Sequence, residues 1–108
     1  MEFAVRALKM TDALPRTDSG RTVANHVAQS GGSVAANCRA ALRGKSRADF
    51  INKVTIVLEE ADETAFWTEL GERAGLLPPE RLKERHAEAI ELTKIFNTTR
   101  STARNRKS

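Results

Sequence analysis

The stretch Ser30–Trp67, SGGSVAANCRAALRGKSRADFINKVTIVLEEADETAFW, decides the fold. Its first half is dominated by small residues, Ser30, Gly31, Gly32, Ser33, Ala35 and Ala36, with Val34, Cys38 and Leu42 recurring at helical spacing. Such a helix can come close to its neighbours. Gly44 then stands where a helix C-terminus favours a left-handed residue. Ser46-Arg47-Ala48-Asp49 reads as a capping box with Asp in place of the usual Glu, so a tight turn joins two helices. The second of these is predicted over residues 48–74, about 40 Å at 1.5 Å per residue. Phe50, Ile51, Val54, Val57, Leu58, Ala61, Ala65, Phe66 and Leu70 make its broad apolar face, and Ile56 and Trp67 fall outside the narrowest stripe.

Working towards the N-terminus, the stripe continues through Val34, Ser30, Val27 and Val23, straight across Gly31-Gly32. Two glycines inside a helix cost about 1 kcal/mol each relative to alanine, so the helix either breaks there or uses them for close backbone approach. The adjoining Ser30, Ser33, Ala35 and Ala36 favour a continuous or slightly kinked helix. Its start is marked by Thr17-Asp18-Ser19, whose side-chain oxygens can accept from free backbone amides. Before it, Ala4, Ala7, Leu8, Thr11 and Leu14 give a first amphipathic helix over residues 2–14, ended by Pro15.

Towards the C-terminus, Gly75 and Pro78-Pro79 punctuate the chain. A fourth helix over residues 80–102 turns Leu82, His86, Ala89, Ile90, Thr93 and Phe96 inward, with Leu92 and Ile95 widening the apolar surface. Four amphipathic helices on short links predict an all-α, antiparallel up-and-down four-helix bundle over residues 1–102, followed by a basic flexible tail over 103–108. The apolar faces of the last two helices exceed what one bundle core demands. Ile56, Trp67, Leu92 and Ile95 are therefore candidates for an interface between copies of the chain.

Composition agrees with this class. The 108 residues suit one domain, and 40% hydrophobic with 30% charged residues suits a folded chain rather than a disordered one. Aromatics are 5% with no tyrosine, so the core is built from Ala, Val, Leu and Ile. No apolar run approaches the roughly 20 residues that cross a bilayer, and MEFAVRALKM lacks a secretory apolar core. The expectation is a cytoplasmic protein without a membrane partner. Cys38 is a lone cysteine among apolar neighbours and reads as a small packing residue.

Charge is unevenly placed. Ten of the fourteen acids fall between Glu59 and Glu91, and none follows Glu91. Arg39, Arg43, Lys45 and Arg47 surround the central turn, while Arg100, Arg104, Arg106 and Lys107 mark the end of the chain. These eight are the candidate nucleic-acid contacts, because a polyanion is held largely by charge. For Arg39 and Arg43 the negative end of the helix dipole is a simpler explanation.

Catalytic material is scarce. Glu59, Glu60, Asp62 and Glu63 are carboxylates on a helix, but a di-iron bundle needs Glu-x-x-His on two helices. Lys83 precedes His86 by three, and Val23 precedes His26. Glu59 and Glu63 are read instead as a polar face, and Glu60 or Asp62 as ion-pair partners for arginines of the small-residue helix. His86 is read as a satisfied core histidine and Asn37 as a hydrogen-bond link to a neighbouring helix. No nucleophile, base and orienter come together, and Ser30-Gly31-Gly32-Ser33 is no phosphate-binding fingerprint. The prediction is no catalytic site, no metal and no cofactor.

Five pieces in order carry a family resemblance: Ala13-Leu14-Pro15, Gln29 through Asn37, Lys45 through Phe50, Leu58 through Thr64 with Trp67, and Ala74-Gly75-Leu76-Leu77. With them the chain resembles the bacterial four-helix bundle proteins first noticed as reading frames inside intervening sequences of large-subunit ribosomal RNA genes. The resemblance implies an antiparallel bundle that assembles as a ring-like homopentamer, with no assigned activity in most members. A more distant branch, the accessory proteins of diversity-generating retroelements, implies a basic pentamer that binds nucleic acid and a reverse transcriptase. The expected function is a non-catalytic, homo-oligomeric interaction module presenting basic patches to RNA or DNA, as an accessory to a larger nucleic-acid enzyme. The alternatives are a protein-only scaffold on which such an enzyme docks, and a metal-binding bundle enzyme.

Overall fold

The computed structural model describes residues 1–77 and 79–106, with the side chains of Pro79, Arg81 and Leu82 outside the description. Four helices follow one another: α1 (Glu2–Ala13), α2 (Asp18–Leu42), α3 (Arg47–Arg73) and α4 (Pro79–Asn105). They form an antiparallel up-and-down bundle measuring 51 × 19 × 19 Å. α3 lies between α2 and α4, and α1 packs on α2 with lighter contact to α4. No described helix is long and apolar enough to cross a membrane.

The helix starts follow the predicted capping chemistry. Thr17 Oγ1 accepts from the Gly20 amide at 3.1 Å, and Ser46 Oγ accepts from the Asp49 amide at 3.1 Å. α2 runs unbroken through Gly31-Gly32. Only the first of these glycines serves a close approach: a Cβ on Gly31 would stand 3.1 Å from the Cβ of Ala7, whereas Gly32 faces open space. Gly44 is not the left-handed residue its position suggests. Among the described residues that conformation belongs to Gly75, φ 70°, at the exit of α3. At Gly44 the benefit is room, since a Cβ there would come within 3.0 Å of the Ala41 carbonyl oxygen. α4 runs on to Asn105 because Ala103, Arg104 and Asn105 contain no breaker, so half of the expected tail is helical. Pro78 and Lys107, and the side chain of Leu82, lie outside the description.

The core consists of three clusters along the rod. Ala7, Met10, Leu14, Val23 and Val27 fill the end where α1 turns into α2. Phe3, Val34, Val57, Ala61, Ala65 and Ala89 occupy the middle, and Ala41, Val54 and Leu58 the far end, flanked by Phe50 and Phe96. The real face of α3 is set by Val54, Val57, Leu58, Ala61, Thr64, Ala65, Thr68 and Gly71. Three of these positions are polar or bare and interrupt the apolar pattern, which is why the spacing of apolar residues puts Phe66 and Leu70 inside. They are 53% and 42% exposed. Leu42 gives way to Ala41 by a one-position error in register, Leu8 is exposed while Met10 is buried on α1, and Ile90 lies at the surface beside buried Ala89.

Small and hydroxyl residues meet where α2 and α3 touch. Ser30 and Thr64 hydroxyls are 2.7 Å apart and buried, and Thr64 Oγ1 donates to the Glu60 carbonyl at 2.9 Å. Ser30 therefore donates to Thr64. Thr64→Val removes that acceptor and leaves the Ser30 hydroxyl only the long contact to the Val27 carbonyl at 3.5 Å, with an expected loss of about 1 kcal/mol. Ser30→Ala alone should cost less, because Thr64 keeps its own carbonyl, and adding Ser30→Ala to Thr64→Val should restore most of the loss. Urea denaturation of the three variants measures this.

Candidate nucleic-acid interface

The antiparallel topology brings the last turns of α2, the first turns of α3 and the last turns of α4 to one end of the rod. Within residues 36–54 and 95–106 stand eight cations, Arg39, Arg43, Lys45, Arg47, Lys53, Arg100, Arg104 and Arg106, and one acid, Asp49. The whole chain holds 18 basic and 14 acidic residues, so the remainder is net acidic. The two sequence patches around the turn and at the chain end are thus one field.

Local structure decides what each cation does there. Arg39, Arg43, Lys45, Arg47, Arg104 and Arg106 are exposed. Among the described residues no carboxylate lies within ion-pair distance of Arg39, Arg43, Lys45, Arg104 or Arg106. Arg100 is different: Nη1 donates to Thr55 Oγ1 and Nη2 to Asn97 Oδ1, both at 3.3 Å, which ties α4 to α3. Arg47 and Arg106, far apart in sequence, line one cleft of about 360 Å³ together with Phe50 and Ala103. An adjoining cleft of about 310 Å³ is lined by Phe50, Thr98, Thr99, Thr102, Ala103 and Arg106. Phe50 and the α4 threonines are not among the site residues that the sequence predicts. The adjacency of Phe50 to Arg47 and the Thr98-Thr99-Thr102 run before the terminal arginines are the available signals.

The residues expected at an interface between copies differ in exposure. Trp67 is half-buried, stacked on His26 with ring centroids 3.9 Å apart and planes 10° apart, and its Nε1 donates to Glu63 Oε1 at 3.1 Å. Leu92 packs against the middle core cluster, and Ile56 is half-buried. Ile95 is 51% exposed.

The remaining polar candidates resolve into structural roles. His86 Nδ1 donates to the Ala65 carbonyl at 3.1 Å, which fixes its tautomer and binds α4 to α3. Asn37 does not reach another helix: its Nδ2 donates to the carbonyl and hydroxyl oxygens of Ser33, one turn back, at 2.9 and 3.1 Å. Glu60 faces Ser33 rather than an arginine of α2. Burial, then the neighbouring Glu63 and Glu59, raise its pKa above the usual carboxylate value, against a lowering hydrogen bond from Ser33. Asp62 is exposed. Burial also raises the Cys38 thiol pKa, which disfavours the reactive thiolate. Across α1 and α4, Glu88 joins Arg6 and Arg85 in an ion-pair network, and the Glu88 hydrogen bond raises the Arg6 pKa. Among the described residues no three His, Cys, Asp or Glu side chains come together as a metal site would need.

Comparison with known proteins places this arrangement. A family model described as "23S rRNA-intervening sequence protein" matches residues 1–98. The chain belongs to that family. A 1.70 Å crystal structure of a protein of unknown function from the S23 ribosomal protein family of Bacteroides thetaiotaomicron superposes with a TM-score of 0.84. It is 35% identical, with 91% of each chain covered. No curated protein matches. The intervening-sequence protein family thus accounts for the bundle, and its match ends before Arg100, Arg104 and Arg106.

Proposed function

We propose that this chain is a non-catalytic, homo-oligomeric interaction module that binds RNA or DNA through the basic end of its bundle, and that it serves a larger nucleic-acid enzyme. The observation that carries the reading is the segregation of charge: eight cations and one acid at one end of a 51 Å rod. A phosphate backbone carries one charge per few ångströms, and the exposed guanidinium groups of Arg39, Arg43, Arg104 and Arg106, with no carboxylate partner among the described residues, can replace its counterions. Among the described residues of that end no nucleophile, base and orienter are brought together.

Oligomerisation is supported by the surplus apolar surface. Phe66, Leu70, Ile90 and Ile95, all on α3 and α4, are between 37% and 53% exposed, and a patch of such residues is a normal mark of association. The family resemblance supports a pentamer. Sedimentation of the intact chain should give a mass several times 11.9 kDa, and Ile95→Asp should shift it towards a single subunit without lowering helix content. A single-subunit mass at every concentration overturns the oligomer. Binding is tested by fluorescence anisotropy with labelled RNA over a salt series: the logarithm of affinity should fall linearly with the logarithm of salt. Absent or salt-insensitive binding overturns the nucleic-acid reading. The exposed Phe66 and Leu70 favour a second reading, a protein scaffold, in which a specific partner survives nuclease treatment and is lost on Phe66→Ala.

A further inference from the structure

The two adjoining clefts at the basic end share Phe50, Ala103 and Arg106, and differ in what they add. One adds Arg47, at the first turn of α3, where the positive end of the helix dipole also favours an anion. The other adds three threonines. Thr98 and Thr99 donate their hydroxyl protons to the carbonyls of Lys94 and Ile95 at 3.2 and 2.9 Å, so their oxygens keep lone pairs as acceptors. An aromatic residue thus lines the same recess as two arginines, beside hydrogen-bond acceptors, at the end of the bundle where cations outnumber acids. The larger cleft, about 360 Å³, reaches the lower end of the roughly 300–1,000 Å³ range of ligand sites.

Charge alone would suit a duplex as well as a single strand. The recess discriminates between them: a base inside a duplex is stacked on its neighbours and cannot enter, whereas an unpaired base presents a free π-face to an aromatic side chain. Building on the nucleic-acid reading above, we infer that Phe50 stacks one unpaired base of single-stranded nucleic acid while Arg47 and Arg106 hold the phosphates on either side of it. Ala103 makes this possible by being small. A larger residue at 103 fills the recess and leaves every charge in place.

The test uses the full chain, a labelled twelve-nucleotide uridine RNA, the same length of abasic RNA, and a twelve-base-pair RNA duplex, in about 50 mM salt. The uridine strand should bind more tightly than the other two. Ala103→Leu should weaken it about tenfold, the worth of one stacked base, while changing abasic and duplex binding less than twofold. Phe50→Leu, which keeps the packing against Ala41, Val54 and Leu58, should do the same, and Phe50→Trp should restore preference for the uridine strand. If the intact chain binds no probe, the nucleic-acid reading falls and takes this inference with it. If it binds all three probes equally, or if Ala103→Leu leaves uridine binding unchanged, the stacking site alone is refuted. A change in sedimenting mass on Ala103→Leu without selective loss of uridine binding assigns the recess to a second copy of the chain and likewise refutes it.

Discussion

A variant carrying glutamine at Arg39, Arg43, Arg104 and Arg106 should bind single-stranded RNA roughly a hundredfold to a thousandfold more weakly near 0.1 M salt than the parent chain. With four fewer phosphates neutralised, the slope of log affinity against log salt should also flatten by about 3, at about 0.7 per phosphate on a single strand. The matching control removes four charges from elsewhere: Lys9, Arg16, Arg73 and Lys83 changed to glutamine. Both variants lose the formal net charge of +4, so they differ only in where the charge was. The control should lose no more than a few-fold in affinity. Equal losses in the two would mean that net charge, rather than a located interface, governs binding. The basic-end variant should still fold, since its four side chains are exposed. Its thermal stability drops only by helix-terminus effects, about 0.3–1 kcal/mol for each cation that faced the dipole.

The largest effect on stability is expected from one methyl group. Gly20 is buried in the first turn of α2, and a Cβ there would overlap the Pro15 carbonyl oxygen and touch the proline ring. That oxygen is backbone in the link between α1 and α2, so relief requires the link itself to move and the Thr17 cap with it. Gly20→Ala should therefore cost about 3 kcal/mol, at the upper end of ordinary overpacking, or roughly 10–20 °C in melting temperature. Gly32→Ala is the counterpart with opposite sign. It sits in the same helix, faces open space, and should stabilise by about 0.5–1 kcal/mol through helix propensity. Differential scanning calorimetry of both variants decides the matter, and a neutral Gly20→Ala would show that the Pro15 link yields easily.

How much of this is legible in the sequence depends on which residues carry the signal. α2 is legible because Val23, Val27 and Val34 are apolar at a regular spacing and Thr17 caps their start. The predicted bounds of α3 agree with the structure within a residue at each end, but its predicted face is wrong around Phe66 and Leu70. Spacing alone puts Thr64, Thr68 and Gly71 on the buried side, and their polarity or bareness hides it. α4 is the hardest to orient, since Ile90 and Ile95 are as apolar as Leu92 and Phe96 yet lie outside. Only packing against Ala65 and Phe3 distinguishes them. At the candidate interface each arginine can be named from the sequence, whereas the placing of Arg47, Arg106 and Phe50 along one cleft depends on the antiparallel return of α4. Asn37 is expected to reach a neighbouring helix, but its partner Ser33 stands one turn back on its own helix; Glu60 does reach α2, where it meets the Ser33 hydroxyl in place of an arginine.

α1 is 12 residues long, against 25 to 27 for the other helices. The core cluster at the basic end accordingly draws on α2, α3 and α4 alone. With one wall fewer, that region buries less per turn and opens at lower free energy than the four-walled middle. Amide exchange would thus run faster in the closing turns of α2 and α4 than around Val57 and Ala61, and a polyanion seated there would slow it. On the proposed reading, the segment that meets a polyanion is also the one with a wall fewer, so binding and stiffening would be a single event.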